Sequence, residues 1–368
     1  MMRGRTFPRP EFMRRALALA RKGVGRTAPN PAVGAVVVRR GRIVGEGYHR
    51  AAGEPHAEVE ALRAAGEKAR GADLYVTLEP CDHRGRTGRC TDAILAAGVA
   101  RVAYAMEDPN PRVRGRGARR LREAGVGVRE GLMEAEAREL IRGYARWIAA
   151  GRPHVTLKLA VSLDGQIAAA GGASRWITGE AARRLVHRMR SEADAILVGG
   201  GTARRDDPLL TARIRGGRTP RRVILTTRPG AILRNRFFRA GAGEVLVACP
   251  AGVPRRESER LRALGARLLP LPSRGGRVRA ADLLDALGAE GVTSLLVEGG
   301  GRTAGWLAAE GAVDRYVLFV GPLLLGEGVR AVSGWACPDP KSGVRLVFTA
   351  VRRVGEDLMV VAEPREGR

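Results

Sequence analysis

Apolar positions along the first 150 residues alternate between two periods. Phe12, Met13, Ala16, Leu17 and Ala20 recur at helical spacing, in a stripe that ends at Gly23. Val33 to Val38 and Arg42 to Tyr48 read as the arms of a hairpin that turns near Arg40-Gly41. Ala57, Ala61, Leu62 and Ala65 then mark a helix that Gly66 can end. Leu74 to Leu78 reads as a strand, Cys90 to Gly98 as a helix, Val99 to Met106 as a strand and Gly115 to Glu123 as a helix. Ala135 to Ala149 reads as one long helix, and Gly151-Arg152-Pro153 breaks it. The expected domains are therefore 1–150 and 151–368.

A second series follows. Strands are expected at Val155–Val161, Ala195–Val198, Val223–Thr226, Val245–Ala248, Leu295–Val297 and Tyr316–Val320. Two more, near Val344–Val351 and Leu358–Val361, would close the sheet antiparallel. Alternating strands and helices imply sheets covered on both faces, with sites at strand ends.

Length and composition narrow the class. A chain of 368 residues has room for two cores. No apolar run approaches a membrane span. The stretch Ala16 to Ala20 is too short for a signal peptide and is flanked by Arg14, Arg15 and Arg21. Four cysteines, two of them isolated (Cys249 and Cys337), suit a reduced, cytoplasmic chain. The net charge of +26 comes almost wholly from Arg, since Lys occurs only at 22, 68, 158 and 341. The arginines are evenly spread with few aromatics between them, so they read as compositional bias rather than as a nucleic-acid surface. That charge would steer anionic ligands inward.

The chemistry concentrates between residues 56 and 90. His56 precedes Glu58 by two positions, and Cys81 and Cys90 follow. One imidazole and two thiols make a zinc set with an open position, as catalytic zinc requires. H-x-E…P-C…C is the zinc-deaminase pattern, in which activated water attacks an aromatic carbon bearing an amine and a Glu moves the protons. His56 should enter a helix and Glu58 lie in its first turn, because positions two apart share no helix face. A structural zinc, with His83 or His49 as fourth ligand, and a Cys81–Cys90 disulfide are the other readings of these residues.

Further stretches surround this set. Ala28-Pro29-Asn30-Pro31-x-Val33-Gly34-Ala35-Val36 and Gly47-Tyr48-His49-x-x-Ala52-Gly53 lie upstream. Leu78-Glu79-Pro80-Cys81-x-His83-x-Gly85-Arg86-Thr87-x-x-Cys90 follows, with C-x8-C where the general signature has C-x-x-C. In the second half stand Lys158-Leu159-Ala160-x-Ser162-Leu163-Asp164-Gly165, Ser174-x-Trp176-Ile177-Thr178 and Gly199-x-Gly201-Thr202-x-x-x-Asp206-Asp207-Pro208-x-Leu210-Thr211-x-Arg213. Glu298-Gly299-Gly300-Gly301-Arg302-Thr303-Ala304 follows a strand and opens a helix through Trp306, where a phosphate could approach. No acidic residue stands about 20 positions on, as a Rossmann unit needs, so a tight strand–helix turn explains the glycines equally well.

Together these motifs resemble the bifunctional riboflavin-biosynthesis deaminase/reductases, over both halves and nearly the full chain. The chain departs from that family at Ala203, usually a larger aliphatic residue, and at Gly88-Arg89, usually prolines. The resemblance implies an α/β chain: an N-terminal cytidine-deaminase-like three-layer domain and a C-terminal dihydrofolate-reductase-like domain. It implies zinc-dependent deamination of 2,5-diamino-6-ribosylamino-4(3H)-pyrimidinone 5′-phosphate, then NADPH-dependent reduction of the ribosyl chain to ribityl. By position in the motifs, Asn30, His49, His83, Arg86 and Thr87 would contact the deaminase substrate. Ser174, Arg190, Leu210, Arg213 and Glu298 would contact the reductase substrate. Ala160, Trp176, Thr202, Asp206, Gly300, Gly301, Arg302, Thr303, Ala304, Gly305 and Trp306 would contact NADPH. Lys158 or Asp164 would manage the ring-opening proton, although an ion pair between them explains both equally well. Such enzymes generally assemble as homo-oligomers through the reductase half. The competing functions are a deaminase whose second domain only binds a phosphorylated ligand, and an RNA-binding protein driven by charge.

Overall fold

A computed structural model describes residues 7–83, 88–241 and 243–365. The chain divides into two compact units, Met1–Gly151 and Arg152–Arg368.

The first unit holds a five-stranded sheet in the order β2-β1-β3-β4-β5. Its elements in chain order are α1 (Pro10–Ala20), β1 (Gly34–Arg39), β2 (Arg42–Tyr48), α2 (Ala57–Ala65), β3 (Asp73–Val76), α3 (Cys90–Ala96), β4 (Arg101–Tyr104), α4 (Arg116–Glu123) and β5 (Gly127–Arg129). Two helices, α5 (Glu134–Leu140) and α6 (Arg142–Ala150), close the unit. The β1–β2 hairpin turns at Arg40-Gly41, both at positive φ, as a two-residue turn compatible with strand twist requires. β1 pairs antiparallel with β2 and β3, while β3, β4 and β5 run parallel.

Two glycines show that α1 and α2 lie on opposite faces. A Cβ on Gly34 would stand 2.1 Å from the Ala16 carbonyl oxygen of α1, and one on Gly47 would stand 2.4 Å from the Ala57 carbonyl oxygen of α2. Gly34 pairs with Tyr48, the neighbour of Gly47, so the two glycines point to opposite sides of the sheet. The unit is therefore three-layered. The helix expected over 135–149 is instead two helices, interrupted at Ile141 (φ −108°, ψ 17°), whose side chain is buried in the core.

The second unit is a nine-stranded sheet in the order β11-β10-β9-β8-β12-β6-β13-β16-β15. Its strands are β6 (His154–Ser162), β7 (Gln166–Ala168), β8 (Ala195–Gly199), β9 (Arg221–Leu225), β10 (Val245–Pro250), β11 (Ala266–Leu271), β12 (Ser294–Val297), β13 (Arg315–Gly321), β14 (Val329–Arg330), β15 (Leu346–Val354) and β16 (Asp357–Pro364). β7 and β14 form a separate ribbon. The helices are α7 (Glu180–Glu192), α8 (Gly200–Asp206), α9 (Arg255–Ala263), α10 (Ala280–Ala289) and α11 (Gly301–Ala309).

Every pair from β11 to β13 is parallel, and β16 and β15 add antiparallel strands at the edge. Fully buried Val155, Leu157, Leu197, Val223 and Leu295 form the core that such a doubly covered sheet needs. From β8 the chain runs outward through β9, β10 and β11, then returns to lay β12 beside β6. That reversal opens a crevice beyond the carboxyl ends of the strands, where ligands bind in open α/β sheets.

Candidate active sites

In the first unit the sheet and two helix starts bring the predicted metal residues together. His56 is the N-cap of α2, and Glu58 is the second residue of its first turn. Cys81 follows β3, and Cys90 is the first residue of α3. His56 Nδ1 lies 3.1 Å from Cys90 Sγ and 3.5 Å from Cys81 Sγ, and the two sulfurs are 3.4 Å apart. A tetrahedral zinc with ligand bonds of roughly 2.0–2.3 Å needs donor separations of about 3.5 Å, so the set fits that ion. It is the sole metal-capable cluster of His, Cys, Asp or Glu among the described residues.

The electrostatics suit the same use. A hydrogen bond from the Cys90 thiol pulls Cys81 down to about 4 against the effect of burial, with His56 adding to it. Glu58 is 3% exposed and in hydrogen-bond reach of Cys90; burial pushes its carboxyl up, while His56 pulls it back. A carboxyl raised above its ordinary pKa is a better acceptor for the water's proton when ionised.

Around this centre, Asn30 Nδ2 donates to His49 Nε2 at 3.1 Å, and His49 Nδ1 donates to the Pro55 carbonyl at 3.1 Å. Those two bonds select one tautomer, and burial keeps His49 neutral by lowering its pKa. The His49 and His56 rings are 5.4 Å apart. His83 is exposed in the turn after Cys81. Arg86 and Thr87 lie outside the described residues. Asp108 escaped the sequence reading. It is buried, accepts from the Tyr144 hydroxyl (3.0 Å) and the Asn110 amide (2.8 Å), and is raised to about 6 chiefly by burial, with Cys81 contributing. Its signal was the second Pro-Asn-Pro, at 109–111, which repeats the one at 29–31.

In the second unit a cavity of about 1060 Å³ opens along β6, β8 and the start of α11. Lys158, Ser174, Arg190, Leu210, Arg213 and Glu298 all line it. So do Ala160, Trp176, Thr202, Asp206, Gly300, Gly301, Arg302, Thr303 and Trp306. Three of the predicted residues are not in its wall. Ala304 is fully buried in the sheet core. Gly305 packs on the backbone of Ser333, where a Cβ would come within 2.1 Å of a carbonyl oxygen. The Asp164 carboxylate is taken by the Ser162 hydroxyl and by the amides of Leu325 (3.0 Å) and Gly326 (2.7 Å), so it anchors a turn and forms no ion pair with Lys158.

Glu298 forms the floor of the cavity with Arg190, and burial drives the half-buried Lys158 ammonium below its ordinary pKa while Glu298 opposes that shift. Arg213 donates its backbone amide to His187 Nδ1 at 3.2 Å, and its guanidinium lies 3.3 Å from His187 Nε2 at the cavity wall. Trp176 is 65% exposed, with the Arg183 guanidinium 4.2 Å from its ring. Thr202 Oγ1 accepts the Gly300 amide at 2.8 Å and fixes the turn into α11. Arg204, Arg205, Arg277 and Arg302 also line the wall. A long cavity with a glycine-opened helix start, a wall rich in cationic side chains and an exposed indole fits a phosphorylated dinucleotide.

Residues 153–360 match the family model for the RibD C-terminal domain, and residues 8–106 match that for the cytidine and deoxycytidylate deaminase zinc-binding region. The chain is 41% identical to the riboflavin biosynthesis protein RibD of Bacillus amyloliquefaciens, over 97% of this chain and 96% of that protein. It is 42% identical to RibD of Escherichia coli strain K12, over 94% of this chain and 97% of that protein. A solved diaminohydroxyphosphoribosylaminopyrimidine deaminase/5-amino-6-(5-phosphoribosylamino)uracil reductase from Thermotoga maritima matches with TM-score 0.86 at 36% identity, covering 97% of this chain and 98% of that one. The chain belongs to the RibD family, the zinc- and NADPH-dependent bifunctional deaminase/reductases of riboflavin biosynthesis.

Proposed function

We propose that the first unit carries the deaminase and the second the reductase, with His56, Cys81 and Cys90 holding the zinc. The observation that carries this reading is the convergence of three soft donors on one point with Glu58 beside them. Zinc there supplies Lewis-acid activation of water. Glu58 would accept that water's proton and pass it to the adjacent ring nitrogen, then take the proton of the hydroxyl added to the ring carbon and pass it to the amine, which leaves as ammonia while the carbonyl forms. Asn30 and His49 bind the pyrimidine or its ribose, and Asp108 closes the same site. His83, Arg86 and Thr87 hold the substrate phosphate.

In the second unit NADPH supplies hydride to C1′ of the opened sugar. Lys158 delivers the ring-opening proton, a role that its depressed pKa favours and that Asp164, engaged elsewhere, does not fill. Arg213 and Ser174 hold the substrate phosphate, while Leu210 and the Arg190–Glu298 pair shape the ribose pocket. Ala160, Trp176, Thr202, Asp206, Gly300 to Thr303 and Trp306 receive the cofactor, with Ala304 and Gly305 setting the helix behind it.

β15 is an edge strand whose Phe348 (72% exposed) and Val351 (61% exposed) face outward. We assign it to pairing with a second copy, because an unpaired apolar edge recruits a strand. Four free cysteines suit a reducing, cytoplasmic compartment, and no helix among the described residues is long and apolar enough to cross a membrane. Zinc analysis and assays of both steps on one preparation test the whole reading. Stoichiometric zinc that disappears in Cys81→Ser, with reduction intact, is expected. Zinc retained by that variant would remove Cys81 from the ligand set.

A further inference from the structure

The eight residues between Cys81 and Cys90 include two glycines, Gly85 and Gly88, and no proline. The thiols at the two ends of this segment are 3.4 Å apart. What holds those ends is a set of bonds at the base of the segment, and they meet on one side chain of α4.

Arg120 Nη1 donates to Asp82 Oδ1 at 2.6 Å and to Thr91 Oγ1 at 2.9 Å, and its Nη2 donates to Asp92 Oδ1 at 2.6 Å. Thr91 in turn donates its hydroxyl to Asp82 Oδ1 at 2.6 Å and its amide to the Cys81 carbonyl at 3.3 Å. Asp82 directly follows Cys81, and Thr91 directly follows Cys90. The helix that carries Arg120 is itself locked to the residues before Cys81. Glu79, 3% exposed, accepts the amides of Gly115 (2.9 Å) and Ala118 (3.1 Å) at the start of α4. Gly117 approaches so closely that a Cβ there would stand 1.8 Å from the Pro80 carbonyl oxygen. α4 thus grips the chain on both sides of Cys81 and immediately after Cys90.

We propose that Arg120 is a positioning residue for the two thiols: by binding Asp82, Thr91 and Asp92 at once it ties the residue after Cys81 to the first turn of the helix that Cys90 opens, and so sets how tightly zinc is held. This rests on the ligand set proposed above. The chain spans the gap that a C-x-x-C spacing would close covalently by using charge-assisted bonds instead. Partners that orient metal ligands in this way typically contribute about 10- to 100-fold to metal affinity.

The test uses the full chain loaded with zinc and reads metal release into excess chromophoric chelator. The variants are Arg120→Ala, Arg120→Lys, Thr91→Val and, as control, Arg122→Ala. Arg122 is on the same helix, in an exposed pair with Glu130. Arg120→Ala should release zinc roughly 10- to 100-fold faster than wild type, and Arg120→Lys should recover part of that loss. Cobalt(II)-substituted Arg120→Ala should show shifted thiolate-to-metal and d–d bands, while Arg122→Ala matches wild type. The reductase assay reports an intact second unit in each variant.

Wild-type release and an unshifted cobalt spectrum in Arg120→Ala would overturn the proposal. So would equal acceleration in Arg122→Ala, which would mean that any loosening of α4 suffices. If Arg120→Ala does not fold, Thr91→Val carries the same criterion, since it deletes one bridging hydroxyl at nearly constant shape. Wild-type protein without zinc would sink the ligand set and the clamp together. Zinc lost in Cys81→Ser but held normally in Arg120→Ala would sink the clamp alone.

Discussion

Arg190 and Glu298 meet in a two-pronged ion pair, Nε to Oε1 at 2.6 Å and Nη2 to Oε2 at 2.7 Å, although 108 positions separate them. Both are nearly buried, with side chains 13% and 10% exposed. Arg190 also donates to the Thr211 carbonyl at 3.2 Å, so most of its donors are committed within the protein. The pair holds the Glu298 carboxylate at the cavity wall. Arg190→Ala leaves a buried carboxylate unpaired and should cost about 3–5 kcal/mol in the second unit. Denaturant unfolding should show the loss, with reduction abolished and zinc retained by the first unit.

The same pair makes stability depend on pH in a defined direction. Burial alone would raise the Glu298 carboxyl, but Arg190 and Lys158 more than reverse this and hold it near about 2, against 4.5 as the ordinary value. A carboxylate with a depressed folded-state pKa stabilises the fold above its unfolded value, and that contribution disappears as pH falls towards the folded value. The unfolding midpoint of the second unit should therefore fall as pH drops from 4.5 towards 2. Glu298→Gln should start lower and show a flatter profile over that window.

Glu58 moves protons and does not bind the metal in this reading. Glu58→Gln should keep stoichiometric zinc and lose about 10²- to 10⁴-fold in deaminase kcat. Reductase turnover on the deaminated substrate should be unchanged. Elemental analysis and the two separate assays check this, and a joint fall of both activities would contradict the division between units.

The outer strand offers a solution test of assembly. Phe348→Asp places a charge at the centre of the exposed apolar face of β15. If that face pairs with a second copy, the change should cost about 2 kcal/mol or more, roughly a thirtyfold rise in Kd. Light scattering across a concentration series would show it, and an unaltered mass would assign assembly to another surface.

The metal set was legible because its parts are local. A helix start holds His56 and Glu58 together, Cys90 opens the short helix α3, and Cys81 lies five residues beyond the short strand β3. The β1–β2 hairpin and the parallel strands of the second unit were legible for a similar reason: their apolar period is written residue by residue. The breaks were less so. Ile141 interrupts a stretch whose spacing suits one helix, because burying that side chain outweighs helical continuity. β11 was hidden in Ala266–Leu271, where exposed Arg267 and Pro270 dilute the apolar signal of a strand that lies at the sheet edge.

Hydrophobic periodicity and the spacing of His56, Glu58, Cys81 and Cys90 pointed to two α/β units, the first with a zinc set, and the cofactor of the second came from the family resemblance of its motifs. Which charged side chain meets which was decided only by the folded chain. Asp164 went to the amides of Leu325 and Gly326, Glu298 to Arg190, and Arg120 to the residues that follow Cys81 and Cys90, each across more than 25 positions. The physical reason is that a hydrogen bond or ion pair depends on distance in space, and chain closure lets any of several nearby charges satisfy it. Periodicity states which face of an element is buried; only the packed sheet states what waits on the other side.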